Sequence, residues 1–99
     1  MDHHVYFWLV EEAKTSAARA DFEAALSGLL EIPAVRSGRW AVPAAVVLRP
    51  VVDQSWDYAV TLQFEDVSAH DDYQAHPLHV DFVNRYRPQW KLVQIRDLA

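Results

Sequence analysis

The 99-residue sequence contains no cysteine, two glycines and one methionine, and no apolar run in it approaches the length of a membrane span. Without cysteine there is no disulfide framework, no thiolate metal site and no cysteine nucleophile, so a secreted disulfide scaffold is excluded and the cytoplasm is the expected compartment. Met1-Asp2-His3-His4 lacks the basic start of a signal peptide, and the run from Val5 to Val10 is too short to cross a bilayer, so no membrane association is expected. Positive charge is also scarce. Nine Lys and Arg against fourteen Asp and Glu give a net charge of −5, the wrong balance for gripping phosphates, and no nucleic-acid partner is expected. Arg85 and Arg87 fall where the last turn of a helix would be, and there cations offset the macrodipole.

What is present is apolar and aromatic. Hydrophobic residues make up 52% of the chain, with four each of Trp, Tyr and Phe, enough for one dense core. The length suits a single domain spanning residues 1–99.

His4-Val5-Tyr6-Phe7-Trp8-Leu9-Val10 is β-branched and aromatic and reads as a strand. Helical spacing of Ala18, Phe22, Ala25, Leu26 and Leu29 predicts a helix from about Ser16 to Leu30, ended by Gly28 and Pro33. A second strand is expected over residues 35–42. A third is expected over residues 58–65, where Tyr58, Val60, Leu62 and Phe64 alternate with smaller or polar residues. Asp66 can cap a short helix through Tyr73, and Pro77 can open another that stops before Pro88. A closing strand is expected over residues 92–96. The order β-α-β-β-α-β predicts an α+β, ferredoxin-like sandwich: a four-stranded antiparallel sheet with its helices on one face.

Such a sheet leaves its other face bare. Both faces of the first strand are apolar, and the expectation is that Val5, Phe7 and Leu9 lie on the uncovered side. Burying them is worth roughly 5 to 9 kcal/mol, comparable with the stability of a small domain. A homodimer packed sheet to sheet follows, with the unusually apolar segment from Pro43 to Trp56 reaching the partner.

The chemistry-bearing stretch is Tyr73 to Tyr86. With Pro77 as the first helical residue, His79, Phe82, Val83 and Tyr86 share one stripe, so the imidazole points inward. A helix N-terminus disfavours added positive charge, and a neutral His79 suits a general base. Tyr73 could polarise a carbonyl, and His4 is placed on the face of Tyr6 and Trp8. An inward His beside an inward Tyr is equally the pattern of a satisfied buried pair. His76 is expected to act at the helix cap and His70 to lie on the surface. His76 and His79 form an H-x-x-H pair with no third ligand, and a Met1 amine with His3 could chelate copper or nickel in a square plane. Neither motif is specific, so no metal and no cofactor is expected.

The pattern Tyr73, His76, Pro77, His79 and Phe82 resembles the Tyr-x-x-His-Pro-x-His-x-x-Phe stretch of the stress-responsive A/B barrel domain family, and the resemblance extends over nearly the whole chain. It implies a homodimeric α+β barrel. Most members have no assigned reaction, but one closes a linear polyketide without a cofactor. Carried over to this sequence, the resemblance places a catalytic His on His79, a supporting Tyr on Tyr73 and a strand His on His4. Pocket positions would fall on Tyr6, Trp8, Phe22, Val60, Phe82, Trp90 and Val93. Asp81 stands where a small glycine is usual, and Tyr6 and Trp8 are bulky. The implied function is a binder of small polyketide-like or phenolic molecules, or a cyclase or lyase using a His/Tyr pair. The alternative is a non-catalytic dimeric module with the same residues filling its core.

Overall fold

The computed structural model describes residues 1–99. Four strands and three α-helices follow one another along it: β1 (Asp2–Leu9), α1 (Ser16–Leu29), β2 (Ser37–Ala41), β3 (Tyr58–Gln63), α2 (Val67–Ala75), α3 (Pro77–Tyr86) and β4 (Trp90–Leu98). The sheet order is β2-β3-β1-β4, and every neighbouring pair is antiparallel. This is the ferredoxin-like arrangement, with the second helical region split in two.

Local chemistry sets the boundaries. The Thr15 hydroxyl accepts from the Ala18 amide (3.2 Å) at the start of α1, and the Asp66 carboxylate accepts from the Ala69 amide (2.9 Å) at the start of α2. Pro77 disfavours helical backbone at the residue before it, so His76 is extended and breaks α2 from α3. The His76 ring is the cap expected for it: Nδ1 accepts from the Leu78 amide at 3.1 Å. Strand β2 includes Gly38, where a Cβ would stand 2.5 Å from the Thr61 carbonyl oxygen. A hydrogen atom is all the space allows.

The core lies between the helices and one sheet face. Phe22 and Leu26 of α1, Phe82 and Tyr86 of α3 and Tyr73 of α2 pack onto Phe7, Tyr58, Val60 and Leu62 of the sheet. Rings dominate: Phe22 meets Phe7 edge-on at 5.3 Å, Tyr58 at 5.4 Å, and stacks on Phe82 at 5.9 Å. Two hydroxyls tie elements together at the margins, Tyr58 of the sheet donating to Glu23 of α1 (2.6 Å) and Tyr86 of α3 to Asp21 of α1 (2.8 Å).

The expected orientation of β1 is corrected here. Val5, Phe7 and Leu9 are buried beneath the chain's own helices, and it is His4, Tyr6 and Trp8 that occupy the opposite face. Cross-strand partners share a face, and Val5 and Phe7 stand opposite Val60 and Tyr58 of β3, whose core side is fully apolar. The face of β1 that carries Val5, Phe7 and Leu9, with His3 at its end, therefore joins the core. Tyr and Trp, each with a polar tip, take the wetter side.

Residues 42–57 form an arm with no regular structure that returns over that outer face. Trp56 packs on Tyr6 (5.4 Å between centroids), and the Trp8 indole donates to the Ser55 hydroxyl (2.9 Å). At its base Asp57 is clamped to β1: its amide donates to the Phe7 carbonyl (2.8 Å) and its carboxylate accepts from the Leu9 amide (2.8 Å). The middle of the arm is uncovered, with Val47 85%, Val51 82% and Leu48 69% exposed. No helix is long and apolar enough to cross a membrane.

Candidate functional site

A cavity of about 290 Å³ opens between the sheet and the α2–α3 junction. Strand β1 supplies His3 and Phe7, the helices supply Tyr73, His79 and Phe82, and β4 supplies Trp90 and Val93 to walls that are mostly apolar. The break at His76 is what aims the histidine: α3 restarts at Pro77, so position 79 lies in its first turn and faces the sheet.

The geometry around His79 fixes its tautomer. Nδ1 donates to the Gln74 carbonyl at 3.1 Å, which leaves Nε2 as an acceptor. Burial lowers the pKa below the usual histidine value; the bond to Gln74 opposes this, and the neighbouring His3 and His70 reinforce it. The ring is neutral near pH 7. Its centroid lies 4.6 Å from that of Tyr73. Burial pushes the Tyr73 phenol well above its ordinary pKa, so it remains a neutral donor. Tyr58 and Tyr86 commit their hydroxyls to carboxylates, but the Tyr73 hydroxyl is not engaged in this way. Trp90 adds an indole Nε1 that is buried with no hydrogen-bond partner in the chain.

Of the residues placed at this site from sequence, Tyr73, His79, Val60, Phe82, Trp90 and Val93 do line the cavity. Four do not. His4, Tyr6 and Trp8 are on the far face of the sheet, one residue out of register with the cavity, and Phe22 is fully enclosed among core rings rather than at the cavity wall. The bulk of Tyr6 and Trp8 therefore does not obstruct the cavity, which is faced by Val5 and Phe7 instead.

The histidine that β1 contributes is His3, 2% exposed, with Nδ1 2.5 Å from the Asp97 carboxylate of β4. Burial lowers its pKa against the opposing pull of Asp97. His70, expected at the surface, instead packs its ring 4.8 Å from that of His3 and 5.5 Å from Phe64. Alternation along β1 could have found His3, because it shares the parity of Val5, Phe7 and Leu9. The H-x-x-H pair is divided between a cap and the cavity wall. The Met1 amine donates to the Phe64 carbonyl (2.7 Å), away from any square-planar chelate with His3.

Comparison with known proteins places this geometry. The family model described as Stress Responsive A/B Barrel Domain matches residues 3–99. No curated protein matches the sequence. Among solved structures, a dabb family protein with a ferredoxin-like fold from Mesorhizobium loti is 23% identical, with a TM-score of 0.78 over 99% of this chain and 93% of its own. A dimeric ferredoxin-like protein of unknown function from Thermobifida fusca is 19% identical, with a TM-score of 0.80 over 99% and 88%. A hydroxynitrile lyase from Passiflora edulis is 18% identical, with a TM-score of 0.69 over 96% and 87%. At such identities the likeness shows the fold.

Proposed function

We propose that this chain, which belongs to the stress-responsive A/B barrel domain family, is a homodimer whose cavity binds a small apolar molecule and moves a proton on it. The observation that carries this reading is the neutral His79, held by Gln74 with Nε2 free, beside an uncommitted Tyr73 phenol. In such a step Nε2 takes an acidic proton from carbon next to a carbonyl, the electron pair passes to the carbonyl oxygen, and Tyr73 donates a hydrogen bond to the enolate. The apolar walls strengthen that bond by excluding water. A volume of about 290 Å³ lies at the bottom of the range of about 300–1,000 Å³ for ligand sites. It suits a compact phenolic or ring-sized ligand rather than a long chain. Fold-sharing with a hydroxynitrile lyase keeps lyase-type reactions within the same class.

The dimer rests on the outer face and the arm. Val47, Leu48 and Val51 are the most exposed large apolar side chains of the protomer, and covering them would contribute roughly 4 to 8 kcal/mol. Tyr6, Trp8 and Trp56 extend the same surface. Structures of the same fold are described as dimeric. The interface is thus assigned to the face opposite the helices and to the arm, in place of Val5, Phe7 and Leu9.

The experiment is a screen of phenolic, polyketide-like and cyanohydrin compounds for binding and turnover, repeated with His79→Ala and Tyr73→Phe. Loss of at least tenfold in both variants is expected. Unchanged binding and turnover in His79→Ala would reject the proposal and leave a dimeric scaffold.

A further inference from the structure

We infer that His3, His70 and Asp97 form a binding site for one first-row transition-metal dication at the rim of the cavity. The three come from β1, α2 and β4, and they offer ligand atoms that all lie within 4.8 Å of one another. Two imidazoles and one carboxylate are a nitrogen and oxygen set that suits zinc, cobalt(II) or iron(II) rather than calcium or magnesium, which favour oxygen alone.

The surroundings fit that use. His3 is enclosed by Phe64, Tyr73 and His70 rings and is directly opposite Asp97 in the β1–β4 ladder, so two of the ligands are fixed by backbone register. The Gln74 side-chain amide lies 3.1 Å from His70 Nε2; with the amide oxygen turned to the ring, Nε2–H donates to it and Nδ1 is left as the ligand atom, the outer contact that aligns a ligating imidazole. Asp97 is 42% exposed and gives the ion a path from solvent. The contact of 2.5 Å between His3 and Asp97 is shorter than the separation of two ligands on one ion, so metal entry expels the shared proton and opens this pair slightly. The partly exposed carboxylate can make that movement.

Three protein ligands leave a coordination position open, as in catalytic rather than structural zinc sites. His3 itself lines the cavity, so the open position would face a bound molecule's oxygen. The metal site stands on its own ligands and does not depend on His79 being a base.

The test uses the full chain, freed of metal, titrated with Co²⁺ by visible absorption and with Zn²⁺ by calorimetry near pH 7.5. One equivalent per chain is expected, with the visible bands of nitrogen-bound cobalt. His70→Ala and Asp97→Asn are each expected to weaken binding at least tenfold while leaving the metal-free circular dichroism spectrum unchanged. These variants are preferred because replacing the buried His3 threatens folding. Absence of binding below millimolar metal would overturn the inference. So would full affinity in His70→Ala, which is the result a chelate of the Met1 amine with His3 would give.

Discussion

The Nδ1–H of His79 points at the Gln74 carbonyl, 3.1 Å away across the α2–α3 break. That bond joins the last turn of one helix to the first turn of the next, and it makes the direction of the imidazole a property of the Pro77 junction rather than of its own helix.

Protonation of this ring is expected to cost stability. The folded-state pKa of His79 is depressed, so below the unfolded value of about 6.5 the unfolded chain binds more protons and unfolding is favoured. The contribution is fully present above pH 6.5 and declines as pH falls through the window between the unfolded and folded values. Denaturant midpoints measured from pH 7.5 to 5 should decrease, and His79→Asn should flatten part of that slope. His3, depressed for the same reason, supplies more of it. A variant curve parallel to wild type would show that His79 does not titrate in this way.

Two glycines should respond in opposite directions to alanine. Gly38→Ala forces a methyl against the Thr61 carbonyl and Leu62 and is expected to destabilise by about 1 to 3 kcal/mol. Gly28 lies inside α1, and a Cβ there meets nothing within 4 Å. Gly28→Ala should therefore stabilise by about 0.4 to 1 kcal/mol. Urea unfolding of the two variants side by side checks both signs.

Phe22 touches rings from the sheet, from α3 and from the start of β3. Phe22→Ala should cost about 3 to 5 kcal/mol, enough to unfold a marginal domain. The cavity is expected to be lost through unfolding and not through a change in its walls, which do not include this side chain. Near-ultraviolet dichroism would report the collapse.

The arm offers a test that should spare the fold. Val47 and Val51 make no contribution to the core, so Val47→Asp with Val51→Asp should leave the protomer's melting of secondary structure intact at low concentration. Sedimentation at micromolar concentration should shift from dimer to monomer. A dimer that persists would move the interface elsewhere on the molecule.

Much of this architecture was legible in the sequence because periodicity is a property of one element at a time. The α1 stripe, the Asp66 cap and the Pro77 start all appear where their residues indicate. The site was legible at Tyr73 and His79 for the same reason. What periodicity does not fix is which of two apolar strand faces meets the core, since that depends on pairing with β3 and on where the arm folds back. His4 was accordingly expected where His3 is found, and Tyr6 and Trp8 came with it to the wrong side. A hint was present in their side chains: the phenol of Tyr6 and the indole of Trp8 tolerate water better than Val, Phe and Leu. His70 was missed because α2 has almost no amphipathic pattern to orient it, and only the buried ring of His3 shows which way it turns.

Strands β1 and β4 pair along their whole length, so Asp2 stands opposite Leu98. Local segments can close the helices early, but this ladder must bring together positions at opposite ends of the domain's sequence, which raises the contact order and slows folding. The cavity draws His3 from one extremity and Trp90 and Val93 from the other. During translation it can take shape only after β4 has cleared the ribosome, and a product lacking β1 or β4 should emerge without it.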